Sequence, residues 1–327
     1  MSDLYCKPKL SIPRRALLSA AAAAAVSSVL PGRSLAADGK VALRIGYQKS
    51  SSIFIILKAR GTLESLLGPK GVEVKWIEFT SGLPLLEGLN VGSLDFSADV
   101  ADTVPLFAQA AGAQLTYVAA EGPSPAAQAI VVPETSPIRR VADLKGKRIA
   151  LAKGAGVQYL VLKTLEQGGL KFQDIELAYL TPADARAAYE RGSIDAWAIW
   201  DPFLAAAQQQ AKARVLSDGK GIASYRRFYL AATPWAKRND AVVKEVVQQL
   251  AKTGQWIKQN PAEAAAFHAP LVGLDATTME IANGRRSYNV IPVAADALDE
   301  QQKIANAFTQ AGLLPRQINV RELPVWS

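Results

Sequence analysis

The 327-residue chain carries 37 basic and 29 acidic residues, a single histidine and a single cysteine. Removal of residues 1–36 as an export signal takes away five basic residues and one acidic residue, so the net charge falls from +8 to +4, with no dense basic stripe of the kind that binds nucleic acid. Because Cys6 lies in that segment, the mature chain has no disulfide, no thiolate nucleophile and no cysteine-based metal site.

The amino-terminal segment has the pattern of an export signal. Arg14 and Arg15 end a basic region, and the apolar run 16–30 is shorter than the roughly 20 residues that span a bilayer. In the segment 34–36, Ser-Leu-Ala, the first and third residues place small side chains at the two positions that a signal peptidase recognises. We expect a cleaved signal peptide over 1–36 and a periplasmic location. The arginine pair resembles a twin-arginine signal, with a Sec signal or an uncleaved anchor as alternatives.

Strand-like and helix-like runs alternate along the mature chain, which is typical of an α/β fold. Predicted strands cover 41–47, 71–79, 94–98, 115–120, 127–132, 148–151 and 194–200. Predicted helices cover 53–57, 83–90, 105–111, 157–167, 185–191, 240–257, 261–268, 277–282 and 294–310. The segment 121–125, Glu-Gly-Pro-Ser-Pro, is the clearest break in the chain, and residues 225–229 begin a return towards the first part.

Two stretches about 100 residues apart have nearly the same pattern. Residues 92–95 read Gly-Ser-Leu-Asp and residues 192–195 read Gly-Ser-Ile-Asp, each between a helix-like run and an apolar strand. Arg44-Ile45 likewise matches Arg148-Ile149 at an offset of 104. Since this period is too long for a solenoid unit, the pattern predicts two similar α/β lobes. The alternative is that helix–glycine–strand segments are simply common in α/β folds.

The candidate site consists of polar residues at the carboxyl ends of the predicted strands, where ligands bind in open α/β sheets. Serine hydroxyls and free amides at helix starts suit an oxyanion, and aromatic rings can cover an apolar tail. The glycine loop 153–156 has the position of a phosphate or sulfonate cradle, with a plain strand-to-helix turn as the alternative. The candidate residues are Gln48, Lys49, Ser51, Ser52, Asp102, Thr103, Gly154, Ala155, Gly156, Val157, Trp200, Asp201, Arg226 and Phe228.

Several of these residues also have a purely structural interpretation. Asp102 and Asp201 can cap the helices that follow them, and the aromatic residues can be core residues. The lone His268 is expected to be a surface or hydrogen-bonded helix histidine. No nucleophile elbow, phosphate-binding loop, zinc-binding helix motif or calcium-loop spacing occurs, so neither catalysis nor a cofactor or metal is expected.

Four segments resemble the aliphatic sulfonate-binding proteins of ABC importers: RIGYQK at 44–49, LEGLNVGSLDF at 86–96, FAQAAGA at 107–113 and AWAIWDP at 196–202. The resemblance implies a two-lobed periplasmic binding protein fold of type II topology, each lobe a mixed sheet flanked by helices. It implies lobe 1 from 38–124 and 226–327, and lobe 2 from 125–225. In place of the family's Thr-Gly-Asp-x-Pro-Pro, residues 99–105 read Asp-Val-Ala-Asp-Thr-Val-Pro, which changes the expected head-group donors.

The resemblance implies capture of an aliphatic sulfonate between the lobes and delivery to an ABC permease of the inner membrane for sulfur uptake. The expected partners are this small anion, an alkanesulfonate, and the permease, without cofactor or nucleic acid, and the protein is expected to be a monomer. Taurine, aromatic sulfonates, sulfate esters and nitrate stay open as ligands, and a sensory role stays open as well. Enzymes of the same fold are the other alternative, but they use a cysteine or histidine that this pattern does not supply.

Overall fold

The computed structural model describes residues 41–327, so the predicted signal peptide lies outside the described residues. The strands are β1 (Val41–Gln48), β2 (Val72–Phe79), β3 (Phe96–Ala101), β4 (Leu115–Glu121), β5 (Gln128–Pro133), β6 (Arg148–Leu151), β7 (Glu176–Tyr179), β8 (Ala196–Trp200), β9 (Ala213–Asp218), β10 (Arg227–Ala232) and β11 (Val290–Ile291). The helices are α1 (Ser52–Ala59), α2 (Thr62–Leu67), α3 (Gly82–Asn90), α4 (Val104–Ala110), α5 (Gly156–Gln167), α6 (Pro182–Glu190), α7 (Phe203–Gln210), α8 (Thr233–Arg238), α9 (Asp240–Gln259), α10 (Pro261–Val272), α11 (Ala276–Arg285) and α12 (Ala295–Gln310).

The strands of the described residues form two mixed sheets. Sheet 1 has the order β11-β4-β10-β3-β1-β2, and sheet 2 has the order β7-β6-β8-β5-β9. In sheet 1, β1 runs parallel to β2 and β3, while β10 is antiparallel to both β3 and β4. In sheet 2, β6 runs parallel to β7 and β8, while β5 is antiparallel to both β8 and β9.

The two sheets therefore repeat one arrangement, in which β1, β2 and β3 correspond to β6, β7 and β8. The strand that pairs antiparallel with β3 or with β8, namely β10 or β5, is the first strand after the chain passes from one sheet to the other. This confirms the predicted α/β fold with two mixed sheets flanked by helices. We call the part that carries sheet 1 lobe 1 and the part that carries sheet 2 lobe 2, and we propose residues 124/125 and 225/226 as their boundaries.

In both lobes, the aspartate of the repeated Gly-Ser-x-Asp segment is hydrogen-bonded to the backbone of an arginine in a neighbouring strand. The Asp95 carboxylate accepts a hydrogen bond from the Arg44 backbone amide at 2.8 Å, and the Asp195 carboxylate accepts one from the Arg148 amide at 2.8 Å. Each aspartate amide also donates to the carbonyl of the same arginine at 2.9 Å. The two sequence matches that predicted the repeat, Gly-Ser-x-Asp and Arg-Ile, thus supply the two partners of this contact in each lobe. Because these residues form the turn, β3 begins at residue 96 rather than at the predicted 94, and β8 begins at 196 rather than 194.

The cores of the two lobes are built from buried aliphatic and aromatic side chains on both faces of the sheets. One cluster joins lobe 2 to helices α3, α4 and α12, and another joins sheet 1 to α1, α9 and α10. Phe308 of α12 contacts both Phe107 and Tyr159, with ring centroids 5.6 and 5.9 Å apart, so α12 packs against both lobes. Among residues 41–327, no helix combines the length and apolarity needed to cross a membrane.

Candidate ligand-binding site

A small recess lies between the two lobes and is lined by residues of both. Its volume is about 20 Å³, which is room for about one water molecule. A ligand larger than water therefore needs the lobes to part before they close on it. The lining residues are Gln48, Ser50, Gly82, Ala101 and Val104 of lobe 1, Ala155, Gly156 and Trp200 of lobe 2, and Tyr225 and Arg227 of the return to lobe 1.

Arg227 brings a positive charge to the recess. Its side chain is only 3% exposed, and Nη1 donates to Asp99 Oδ2 at 2.6 Å. Nη2 lies 3.4 Å from the Tyr225 hydroxyl. Its Nε is buried and has no hydrogen-bond partner among the described residues. An unpaired donor on a buried cation is costly, so this atom marks a place where an anionic acceptor is favoured.

A second arginine completes a buried ion network behind the recess. Arg286 donates from Nε to Glu121 Oε2 at 2.8 Å and from Nη1 to the Ser50 carbonyl at 2.9 Å, and its Nη2 lies 2.9 Å from Asp99 Oδ2. Burial is the largest influence on Glu121 and opposes its ionisation, but the charge and hydrogen bonds of Arg286, the charge of Arg227 and the hydrogen bond from Tyr229 together outweigh it, so the pKa of Glu121 is lowered. Two guanidinium groups thus face two carboxyl groups in one buried network, and Arg227 Nε takes no part in it among the described residues.

The start of helix α5 also borders the recess. The first amides of a helix have no acceptor within it, and together with the helix dipole they favour an anion. Gly156 lets this helix end approach closely, since a Cβ there would lie 2.4 Å from Tyr225 Cε2 and 2.9 Å from Ala101 Cβ. The Gly154 amide, in contrast, already donates to Gln158 Oε1 at 2.8 Å. The predicted glycine loop therefore contributes its second glycine to the recess, while the first one shapes the turn.

Replacement of Gly156 by alanine is expected to lower the free energy of unfolding by about 1–3 kcal/mol, because the added methyl group overpacks the contact with Tyr225. Gly284 offers a matched control inside helix α11, where a Cβ would meet nothing within 4 Å. Gly284→Ala should raise stability by about 0.5–1 kcal/mol. Urea denaturation of both variants measures the contrast; a Gly156→Ala protein as stable as the native one would contradict the close approach.

Two other predicted residues join the lobes. Thr103 Oγ1 of lobe 1 donates to the Gly154 carbonyl of lobe 2 at 2.7 Å. Asp201, at the end of β8, accepts from Arg285 Nη1 at 3.3 Å and from the Ala205 amide at 3.0 Å. The capping interpretation of Asp201 is therefore present in the structure, together with a contact to lobe 1. Both residues are positioned to stabilise the arrangement in which the lobes enclose the recess.

Of the predicted residues, four line the recess, namely Gln48, Ala155, Gly156 and Trp200. Ser51 and Ser52 do not, since Ser51 Oγ accepts from the Gln48 amide at 3.1 Å and Ser52 Oγ from the Tyr288 hydroxyl at 3.0 Å. Asp102 is buried beside it, with its amide bonded to the Arg226 carbonyl at 3.1 Å and its carbonyl to Gln301 Nε2 at 2.6 Å.

Three further predicted residues lie away from the recess. Val157 is completely buried in the core. Phe228 is also completely buried, with its ring 5.2 Å from that of Tyr117. Arg226 pairs with Asp296 and Glu300 of α12, both at 2.8 Å. Because side chains alternate along a strand, Arg227 faces the recess while Phe228 points to the opposite side of sheet 1. Arg226 and Phe228, predicted as ligand-binding residues, thus lie away from the recess, and Arg227 between them lines it.

Lys49 lies at a second, larger cavity of about 450 Å³, which we call the chamber. Its walls carry apolar side chains of both lobes, and its lining includes Phe79, Pro182, Trp197, Phe203, Val272 and Leu274. Trp200, which lines the recess, and Phe203, which lines the chamber, contact each other edge to face with centroids 6.1 Å apart. The two cavities are thus lined in part by side chains that contact each other.

The single histidine lies in the core. His268 is completely buried and neither ring nitrogen has a hydrogen-bond partner among the described residues, whereas a surface or hydrogen-bonded histidine was expected. Burial lowers the pKa of His268 to about 4, so the ring is neutral at physiological pH. Within residues 41–327 no group of three or more His, Cys, Asp or Glu side chains is arranged to hold a metal ion.

The residues that the sequence analysis missed are Ser50, Arg227, Arg286, Asp99 and Glu121. A signal existed for the first two, because each is a chain neighbour of a predicted residue and strand alternation distinguishes the two faces. No local signal existed for Arg286, which reaches the Ser50 carbonyl across 236 positions of the sequence.

Known proteins match both the sequence and this architecture. The family model described as NMT1/THI5 like matches residues 69–264, more than half of the chain. A curated relative from Escherichia coli (strain K12), named for aliphatic sulfonate binding, is 42% identical over 282 residues, which is 86% of this chain and 88% of the relative. The chain belongs to the aliphatic sulfonate-binding proteins of the NMT1/THI5-like family.

Solved structures of aliphatic sulfonate-binding proteins share the fold over nearly their whole length. The periplasmic SsuA of Escherichia coli is 41% identical with a TM-score of 0.78, covering 88% of this chain and 97% of that chain. The alkanesulfonate-binding SsuA of Xanthomonas axonopodis pv. citri, bound to MOPS, is 39% identical with a TM-score of 0.82, covering 88% and 98%. The desulfurization enzyme DSZB, 17% identical with a TM-score of 0.62, shares the fold alone.

Proposed function

We propose that this protein captures aliphatic sulfonates between its lobes and delivers them to an ABC permease for sulfur uptake. The observation that carries the proposal is Arg227, which lines a recess bordered by the start of helix α5 and whose buried Nε has no hydrogen-bond partner among the described residues. An alkanesulfonate supplies acceptor oxygens with a single negative charge, which suits one free guanidinium donor and a helix end. The names of the relatives agree with this ligand class.

The mechanism we propose is capture without reaction. A ligand in an open cleft contacts one lobe, and its contacts to the other lobe form only on closure, so they drive closure. Gln48 and Ser50 would hold the head group from lobe 1, and Ala155 and Gly156 from lobe 2. Trp200 would cover it, and the Thr103–Gly154 and Arg285–Asp201 contacts would hold the lobes together.

Isothermal titration calorimetry of the mature chain tests the ligand class. We expect methanesulfonate, longer alkanesulfonates and MOPS to bind, and sulfate to bind more weakly because a second charge has no matching cation. Taurine, an aromatic sulfonate, a sulfate ester and nitrate complete the panel, since each stayed open from the sequence. Binding of nitrate with no heat from any sulfonate would contradict the proposal.

Sulfonate affinity should decrease as pH rises from 6 to 8. Burial raises the pKa of Asp102 to about 7, with the charge of Glu300 adding to the rise. This carboxyl lies within reach of the charge of Arg227. Below pH 7 Asp102 holds a proton and is neutral, whereas above it the carboxylate is negative and repels the anion, which itself does not titrate in this range.

The expected loss of affinity between pH 6 and 8 is roughly three- to tenfold, measured by calorimetry in buffers free of sulfonate. Asp102→Asn, which stays neutral across this range, should flatten the profile. An affinity that rises with pH would show that Asp102 does not govern the site.

We further propose that residues 1–36 direct export, that the mature protein is periplasmic, and that it acts as a monomer whose partner is the permease. The periplasmic location of the Escherichia coli relative supports this proposal. Intact mass of the protein released from the periplasm should correspond to a chain that begins at Ala37, and light scattering should give the mass of one copy. A chain retained with its first 36 residues would contradict cleavage.

A further inference from the structure

A third cavity, which we call the side cavity, lies between the lobes next to the recess. Its volume is about 10 Å³, which is close to the smallest space that holds one water molecule. Ser50 lines both the recess and the side cavity, and Asp201 of the side cavity follows Trp200 of the recess in the chain. The polar lining consists of Ser50, Ser52, Asn283, Arg286 and Tyr288 from lobe 1 and Asp201 from lobe 2.

Lobe 1 supplies a buried donor at the side cavity. Asn283 lies near the end of helix α11 and is only 2% exposed. The Tyr288 hydroxyl lies 2.6 Å from Asn283 Oδ1 and 3.0 Å from Ser52 Oγ, so the carboxamide oxygen is held inside lobe 1. Asn283 Nδ2 is buried and has no hydrogen-bond partner among the described residues. Because burial of such a donor is costly, its position favours an acceptor.

Lobe 2 supplies a buried acceptor at the same cavity. Asp201 Oδ1 accepts from the Ala205 amide at 3.0 Å and from Arg285 Nη1 at 3.3 Å. Asp201 Oδ2 is buried and has no hydrogen-bond partner among the described residues. Oδ2 and Asn283 Nδ2 are therefore not bonded to each other, although both residues line one cavity. A small molecule between them would pair both atoms and would join the two lobes.

The groups around the side cavity favour a neutral molecule that both donates and accepts hydrogen bonds. The Arg286 guanidinium lines the cavity and opposes a cation, while the Asp201 carboxyl opposes an anion. Burial raises the pKa of Asp201 to about 7, so near neutral pH its Oδ2 presents either a lone pair or a proton. Water can pair with both forms. The Ser50 and Ser52 hydroxyls bring the polar groups of the cavity into the range of two to four partners that a buried water needs.

We propose that the side cavity binds one water molecule, which bridges Asn283 Nδ2 of lobe 1 and Asp201 Oδ2 of lobe 2 and thereby slows the release of ligand from the recess. Because the two atoms belong to different lobes, the bridge forms only when the lobes are closed. The water site itself stands independently of the ligand, whereas the effect on release rests on the proposed function. Asn283 is thus a positioning residue, since it acts on the ligand through the closure of the lobes.

A crystal structure of the mature protein with butanesulfonate, at a resolution that shows ordered water, tests the site. We expect one water molecule at about 2.7–3.2 Å from both Asn283 Nδ2 and Asp201 Oδ2. A dry side cavity overturns the proposal. A direct hydrogen bond between Asn283 and Asp201 also overturns it, because no molecule is then needed between them.

Stopped-flow tryptophan fluorescence measures the effect on release, since Trp200 lines the recess. Asn283→Leu keeps most of the side-chain volume but removes the donor, so it should speed the release of butanesulfonate about three- to tenfold and leave association nearly unchanged. Tyr288→Phe is the matched control, because it removes the partner of Asn283 Oδ1 inside lobe 1 and keeps Nδ2. Its release rate should stay close to the native value. Circular dichroism and thermal melting verify that each variant is folded.

A double-mutant cycle separates the bridge from a structural role of Asn283. In an Asp201→Ala background the acceptor is already absent, so Asn283→Leu should not speed release further. Equal acceleration by Asn283→Leu in both backgrounds, or by Asn283→Leu and Tyr288→Phe alike, overturns the bridge. A native release rate in Asn283→Leu overturns it as well and leaves sulfonate binding standing. Failure of the native protein to bind any sulfonate contradicts the proposed function and, with it, the effect on release.

Discussion

Arg227→Met should weaken sulfonate binding by about 30-fold or more, the effect expected when one member of a buried, hydrogen-bonded charge pair is removed. Arg227 is the cation that lines the recess, and its buried Nε has no hydrogen-bond partner among the described residues. Methionine keeps much of the side-chain volume, so the change removes the charge and the donors rather than the packing. Calorimetry with an alkanesulfonate measures the loss.

Arg226→Met is the matched control for this variant. Arg226 precedes Arg227 in the chain, but its guanidinium pairs with Asp296 and Glu300 of α12 and does not line the recess. Its replacement should leave affinity within a few-fold of the native value. Equal loss in the two variants, or an effect confined to Arg226→Met, would refute the assignment of the head site. Arg227→Lys, which restores a charge without the Nε donor, should recover only part of the affinity.

Arg286→Met should cause the largest loss of stability, about 3–5 kcal/mol in the free energy of unfolding and on the order of 10 °C in melting temperature. The guanidinium is only 3% exposed and contacts both Asp99 and Glu121, which are fully buried. Removal of the arginine leaves carboxylates without their main counter-charge, and a buried unpaired charge is far more costly than a missing surface pair. Urea denaturation of the mature protein measures the change.

Two further variants test whether the expected loss of stability comes from burial of the ion pairs and not merely from the loss of an arginine–carboxylate contact. Arg321 pairs with Asp299 at 2.6 Å, but the two side chains are 50% and 62% exposed, so Arg321→Met should cost at most about 1 kcal/mol. Addition of Glu121→Gln to Arg286→Met removes one of the orphaned charges and should restore part of the stability. If Arg286→Met is no more destabilising than Arg321→Met, the buried network contributes nothing to the fold.

Trp200 both lines the recess and packs in the core, so its replacement affects binding and stability together. The sequence places it at a polar strand tip and predicts that Trp200→Ala weakens binding without disturbing the fold. Its side chain lines the recess but is only 4% exposed and belongs to the core of lobe 2. Truncation to alanine is therefore expected to cost about 3–5 kcal/mol as well, and Trp200→Phe is the more selective probe.

The fold was predictable because its signals are local. Helical runs, apolar strands and the two Gly-Ser-x-Asp turns repeat at an interval of about 100 residues, and the matching Arg44–Asp95 and Arg148–Asp195 contacts explain why both copies keep the same residues. The resemblance of RIGYQK and AWAIWDP to one family then predicted the class of ligand. Strand ends marked the region of the site because parallel strands bring their carboxyl ends to one edge.

What the sequence by itself determined is thus the pair of α/β lobes, the family and the chain segments that border the cleft. Only the tertiary structure decided which side chain of each segment faces the recess. Arg227 rather than Arg226 lines it, because a strand turns alternate residues to opposite faces and the return strand enters sheet 1 with a particular register. Arg286, Glu121 and Asp99 meet behind the recess although they are far apart in the chain. A buried charge needs partner charges close by, and no local sequence pattern indicates which residues supply them.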